Sequence, residues 1–153
     1  PVRRHMVQLR ATDQARHADT PVLWRLEDEV YFRPESGGFL ASPCDETVWS
    51  AERAPCTDPN VLVSLAQKLE RTAPALADAR VQRAWACLRT FAPDREPVVG
   101  ADPRVRGLHW IAGLGGRGMS AGLVLAEILT RGLVTQPSAA NDAALGVARL
   151  LQA

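Results

Sequence analysis

Gly113-Leu114-Gly115-Gly116-Arg117-Gly118-Met119-Ser120 is the stretch of this 153-residue chain whose residue types could do the most chemistry. Glycines let a backbone approach a flat or anionic group closely, and a helix opening directly after them would aim N–H groups at it. Taken alone, the run fits the G-x-G-x-x-G dinucleotide fingerprint. That fingerprint also needs a second strand after the helix and an acidic residue about 20 residues on, to hold a ribose hydroxyl. Here Gly132, Pro137 and an Ala-rich tail follow, and Asp142 stands at roughly the right distance with no strand to carry it. The loop is therefore expected to contact a ligand through its backbone without completing a nucleotide fold. Other reactive types are sparse. Cys44, Cys56 and Cys87 are odd in number and lack C-x-x-C spacing, which argues against a zinc site and against a disulfide framework. His5 and His109 stand in no partner pattern and are expected to be structural or exposed.

The chain is one domain's worth of sequence, and its 46% apolar and 23% charged residues are too balanced for disorder. A net charge of +1 gives no global field to recruit nucleic acid or an anionic membrane. The basic residues are nearly all arginine, Lys68 being the only lysine, and arginine suits forked recognition of carboxylates. No run approaches the roughly 18 apolar residues that span a bilayer, and the basic N-terminus lacks the apolar segment of a signal peptide. A cytoplasmic, reducing setting is the expectation.

The elements that must position the glycine loop follow from periodicity. Arg3 to Leu9 alternates as a strand, and His17 and Asp19 lie in a polar loop. Val22–Leu26 and Val30–Arg33 read as short strands around Glu27-Asp28-Glu29, with Phe39–Ser42 after a Pro34-to-Gly38 turn. Pro43–Thr57 reads as a loop. Asp58-Pro59 starts a helix with a carboxylate cap and proline at its first position, Leu62, Leu65 and Leu69 share a face, and Pro74 should end it. Val81–Phe91 is the longest strand candidate, with Trp85, Cys87, Arg89 and Phe91 on one face. A turn region, Pro93–Arg106, leads to the strand Leu108–Ala112 and then the loop. The helix that follows, Ala121–Leu129, is apolar on nearly every side and is expected to belong in the interior of a larger protein, lacking its cover in this chain alone. The tail from Ser138 reads as a weak, mostly surface helix. Trp24, Trp85 and Trp110 are expected in the core, and Trp49 is left unassigned.

Four blocks carry a resemblance. Tyr31-Phe32-Arg33-Pro34-Glu35-Ser36-Gly37-Gly38, Trp85-Ala86-Cys87-Leu88-Arg89-Thr90, Pro93-Asp94-Arg95-Glu96-Pro97-Val98-Val99-Gly100 and the glycine loop, in this order and spacing, resemble the C-terminal portion of FAD-dependent amino-acid oxidases of the D-amino-acid oxidase and glycine oxidase family. The resemblance implies an α+β fold: a mixed, largely antiparallel substrate-binding sheet, plus the last strand and helix of an FAD-binding domain whose N-terminal part is absent. It assigns 1–92 to the substrate-binding portion, 93–136 to the return into the FAD domain and 137–153 to a tail helix. The implied activity is oxidation of the C–N bond of a small amino acid or amine, by hydride transfer to the flavin. Alone, the chain is expected to be inactive or nearly so. The alternative is a non-catalytic remnant or subunit that needs a partner chain carrying the FAD fingerprint.

The resemblance also implies roles. Arg89 would pair with the substrate carboxylate, as a guanidinium does through two parallel charge-assisted hydrogen bonds; the structural alternative is an ion pair at a strand end. Gly113, Leu114, Gly115, Gly116, Arg117, Gly118, Met119 and Ser120 would run along the flavin, with the helix dipole and N–H groups stabilising charge on its pyrimidine edge. Arg117 departs from the histidine common among similar sequences, which bears on flavin potential and substrate class. Tyr31 and Arg33, on one strand face, would line the substrate side of the flavin; an interface tyrosine and an Arg33 ion pair with Glu35 or Glu29 are the structural alternatives. Cys87 stands where glycine is usual and reads as a packing substitution.

Overall fold

The computed structural model describes residues 1–10, 20–134 and 143–151. His17, Asp19, Pro137, Asp142 and the start of the tail at Ser138 lie outside the described residues. The chain folds as two compact units, Pro1–Leu88 and Arg89–Ala153, and the architecture is α+β with antiparallel sheets.

The first unit contains β1 (Val2–Arg10), β2 (Leu23–Arg25), β3 (Val30–Glu35), β4 (Gly38–Ser42), β5 (Thr47–Val48), α1 (Pro59–Thr72), the single turn α2 (Pro74–Ala77) and β6 (Val81–Arg89), whose last residue opens the second unit. The strands run in the order β2-β3-β4-β1-β5, with β6 also pairing β1. Alternation sets the register: Val7 and Leu9 of β1 face Ala41 and Phe39 of β4, and Phe32 of β3 faces Ala41. These side chains, with Val30, form one apolar face that receives Leu65 and Leu69 from α1. Phe32 and Phe39 meet edge to face, centroids 6.1 Å apart. Each of the valines, leucines and phenylalanines so removed from water contributes roughly 1.5–3 kcal/mol.

Helix α1 starts as its sequence dictates. The Asp58 carboxylate accepts the Asn60 N–H at 3.0 Å, and Pro59 occupies the first turn. Pro74 forces Ala73 out of helical geometry, but it then opens α2 instead of simply ending the segment. The start of α1 is tied to β1 by two buried side chains. Arg3 reaches the Asp58 carboxylate at 3.0 Å and stacks on Trp49. His5, fully buried, accepts the Asp58 N–H through Nε2 at 3.0 Å and makes a 2.7 Å hydrogen bond from Nδ1 to Asp45. With Nε2 accepting, the ring proton sits on Nδ1 and donates to Asp45. His5 thus has partners after all, 40 and 53 residues away along the chain.

The second unit contains β7 (Val98–Ala101) antiparallel to β8 (His109–Ala112), then α3 (Gly118–Val134) and a 3₁₀ helix, Val147–Leu151. Ala92, Val98 and Val147 are buried together, with Ala112 and Leu150 against them. Polar clamps do much of the rest. Arg149 pairs with Asp94 at 2.6 Å and donates to the carbonyls of Leu145, Gly146, Glu96 and Pro97. The buried Asp102 carboxylate accepts from Arg104 and from the Trp110 indole. The Arg149 hydrogen bond holds the Asp94 carboxyl below the usual carboxylate range, and the Arg104 hydrogen bond does the same for Asp102.

Several expectations are corrected. Pro43–Thr57 contains β5, and Pro93–Arg106 contains β7. Helix α3, read from its sequence as interior to a larger protein, presents Met119, Leu123, Val124, Leu133 and Val134 to solvent here and buries Leu125. In the tail, Val147 joins the apolar cluster while the other described residues are exposed or half-buried. Trp24, on the short strand β2, is 63% exposed, and Trp110 is exposed, its indole held by Asp102. No described helix is long and apolar enough to cross a membrane.

Candidate functional site

Arg89 ends β6, and the chain then runs past Thr90 and Phe91 into the Pro93 turn. The glycine loop returns along this stretch. Leu114 bridges Phe91 in antiparallel fashion, and the Gly115 N–H donates to the Thr90 carbonyl at 3.0 Å. Arg89 and Phe91, two apart on an extended backbone, point to the same side. Each lies on a different glycine. A side chain at Gly115 would strike the Phe91 ring, 2.6 Å from Cδ1, and one at Gly116 would come within 3.1 Å of Arg89 Nε. Gly115 and Gly116 also take φ of +57° and +102°, the left-handed region that other residues avoid. The glycines are thus required by close approach of Arg89 and Phe91, as well as by the turn.

Arg89 is half-buried, and among the described residues its guanidinium makes no ion pair and no hydrogen bond. A partly desolvated cation without an internal acceptor is suited to an external anion, and the planar fork favours a carboxylate. At the start of α3 the N–H groups of Gly118 and Met119 likewise have no acceptor among the described residues, whereas those of Ser120 and Ala121 reach the Arg117 carbonyl. Met119 is 97% exposed, and Gly118 is half-buried beside Leu114. The donor set fits an anionic group. Arg117 is exposed and donates from Nη2 to the Arg95 carbonyl at 2.8 Å, and the Ser120 hydroxyl bonds the Arg117 carbonyl.

Arg89 and the eight loop residues Gly113 to Ser120 lie in the second unit. Tyr31 and Arg33 belong to the first. Tyr31 is half-buried on β3, opposite Trp24 of β2, with its hydroxyl 3.0 Å from Met6 Sδ. Arg33 is exposed and pairs with Glu35 at 2.6 Å, the ion pair its sequence neighbours suggested. Two residues beside the loop were not singled out by sequence as site residues. Phe91 was legible only through its spacing from Arg89. Arg95, whose guanidinium lies 4.6 Å over the Phe91 ring, gave no signal, because its place is set by a turn with φ of +65°. No group of three or more His, Cys, Asp or Glu placed to hold a metal occurs among the described residues.

Residues 1–131 match the family described as DAO, FAD dependent oxidoreductase, and the chain belongs to that family. Its fold is similar to that of L-proline dehydrogenase from P. horikoshii, with a TM-score of 0.84 at 15% identity over 99% of this chain and 41% of that one. It is also similar to iminodiacetate oxidase from Chelativorans sp. BNC1 (TM-score 0.73, 20% identity, 95% of this chain and 39% of that chain). Glycine oxidase from Bacillus cereus ATCC 14579 matches with a TM-score of 0.73 and 18% identity, over 90% of this chain and 36% of that one. The chain therefore spans well under half the length of these solved structures.

Proposed function

We propose that this chain forms the substrate-anchoring and glycine-loop portion of an FAD-dependent oxidoreductase acting on the C–N bond of a small amino acid or amine. The observation that carries the reading is Arg89: a half-buried guanidinium, free of internal partners among the described residues, lying directly against Gly116. Arg89 would fork onto the substrate carboxylate and fix the orientation of the α-carbon. Tyr31 and Arg33 would line the substrate side, Arg33 in a supporting role because Glu35 already neutralises it. The backbone from Gly113 to Ser120 would run along the flavin, and the N–H groups of Gly118 and Met119, reinforced by the α3 dipole, would hold its anionic edge. FAD, when bound, supplies the two-electron acceptor. Arg117 adds a cation beside that helix end, where it favours electron-rich ligands.

In FAD-loaded protein, Arg89→Gln is expected to raise KM for a small amino acid roughly a hundredfold, as loss of a desolvated charge partner does. Oxidation of an amine without a carboxylate should be unaffected. Equal KM for the amino acid in both proteins would sink the anchor role.

A second reading is favoured by the uncovered apolar face of α3, at Met119, Leu123 and Val124. A polypeptide carrying the FAD dinucleotide fingerprint, whether on the same chain or another, would cover it and supply the rest of the flavin site.

A further inference from the structure

We infer that Phe91 is a positioning residue for the Arg89 anchor, acting with Gly115, Gly116 and Arg95 to hold the guanidinium where a substrate carboxylate is met; this rests on the reading of Arg89 given above. The stretch from Arg89 to Arg95 and the loop from Gly113 to Arg117 are joined at nearly every residue. Gly113 packs on the Ala92 backbone, where a side chain would come within 3.3 Å of its nitrogen. Leu114 bridges Phe91, Gly115 donates to Thr90, and Arg117 donates to the Arg95 carbonyl. The loop's path is therefore fixed by the end of β6, and Arg89 lies on a surface that this loop provides.

Phe91 is the wedge in that joint. Gly115 Cα seats against the ring edge, and the Arg95 guanidinium stacks over it at 4.6 Å from the centroid. The ring so held sets how closely Gly115 approaches the strand. Gly115 is followed directly by Gly116, whose Cα supports the Arg89 stem, with Nε at 3.1 Å and Cδ at 3.4 Å from the position a Cβ would take. Arg89 has no acceptor of its own among the described residues, so this packing, not an ion pair, orients it. A smaller side chain at 91 lets the loop settle inward and removes the Arg95 stack. A methyl at 116 displaces the guanidinium from the other side. Both changes leave the arginine in place and misdirect it, and forked recognition of a carboxylate tolerates little misplacement.

The test is titration of the full chain with benzoate or acetate as a carboxylate probe, followed by calorimetry and by the backbone amide resonances of Gly115 and Gly116. The wild type should bind and shift both resonances, and Arg89→Gln should abolish binding. Phe91→Leu and Gly116→Ala should each weaken binding about tenfold, while Phe91→Tyr, which keeps the ring, stays within about twofold of wild type. Circular dichroism melts identify a variant that has unfolded, and Gly116→Ala tests the same joint without touching the ring. If Arg89→Gln abolishes binding while Phe91→Leu and Gly116→Ala bind like wild type, the positioning role is overturned and the anchor survives. If Arg89→Gln binds like wild type, or the wild type does not bind, the anchor falls and the positioning role with it.

Discussion

The two units of this chain are held by different means. Pro1–Leu88 buries a continuous apolar layer, eight side chains from three strands and α1, and its polar pins, Arg3 and His5, serve to seat the start of that helix. Among the described residues of Arg89–Ala153 the apolar cluster holds three buried side chains, and polar clamps add to it: Arg149 on Asp94 and four carbonyls, Asp102 on Arg104 and Trp110, and a glycine loop laid along the residues after β6. One unit is a scaffold with a filled interior. The other is an arrangement of backbone and guanidinium groups with an apolar helix face left open, which suits a site completed by a ligand and by further polypeptide.

That contrast can be broken most sharply in the first unit. Phe32→Ala removes a buried ring from the middle of the layer and should cost about 3–5 kcal/mol, as ring deletions in cores do. Denaturant unfolding should show the loss, with hydrogen exchange slowed least in β3 and β4. A loss below about 1 kcal/mol would mean that the layer is not the source of the unit's stability.

Acid should act more strongly on the second unit. Asp94 and Asp102 there are held below the usual carboxylate range, by Arg149 and Arg104 respectively, and Asp58 is the corresponding group in the first unit, held down mainly by the Asn60 N–H. A carboxyl whose folded pKa is depressed contributes stability that is fully present above its unfolded value, about 3.9, and lost as pH falls through the folded value. Stability should therefore be flat above about pH 5 and decline below it, first in the amide protection of residues 89–112. In Arg149→Met the Asp94 share of that decline should disappear, and the pH series of the two proteins checks it.

The smallest effect is expected on α3. Leu123 is 84% exposed, and Leu123→Gln should change the stability of this chain by less than about 0.5 kcal/mol. If another polypeptide segment covers that face, the same substitution should impair its docking, which gel filtration with the covering segment would detect.

Sequence carried the parts ruled by short-range pattern. β1, β3 and β4 were readable as short strands bounded by turn residues, and Asp58-Pro59 announced α1 by its cap. It failed where tertiary partners decide. β7 is a four-residue strand after Pro97, interrupted by Gly100, and becomes a strand only by pairing with β8. Trp24 reads as a core residue by type, yet β2 is short and ends the sheet order, where burial is incomplete. His5 carries no local sign of Asp45, because a contact across a sheet leaves no mark in spacing. At the site, the glycine loop was visible because backbone demands restrict residue type, and Arg89 through its block. The place of Arg95 depends on a turn whose partner is a ring.

The seating of Phe91 on Gly115 also constrains how such a chain can change over time. Neither position is free to vary by itself, since any Cβ at 115 collides with the ring and any loss of the ring leaves a gap beneath the loop. A lineage that placed a side chain at 115 would have had to shrink residue 91 first, passing through an intermediate with a loosened arginine. The order of change is thereby fixed: residue 91 must lose its ring before residue 115 can gain a side chain.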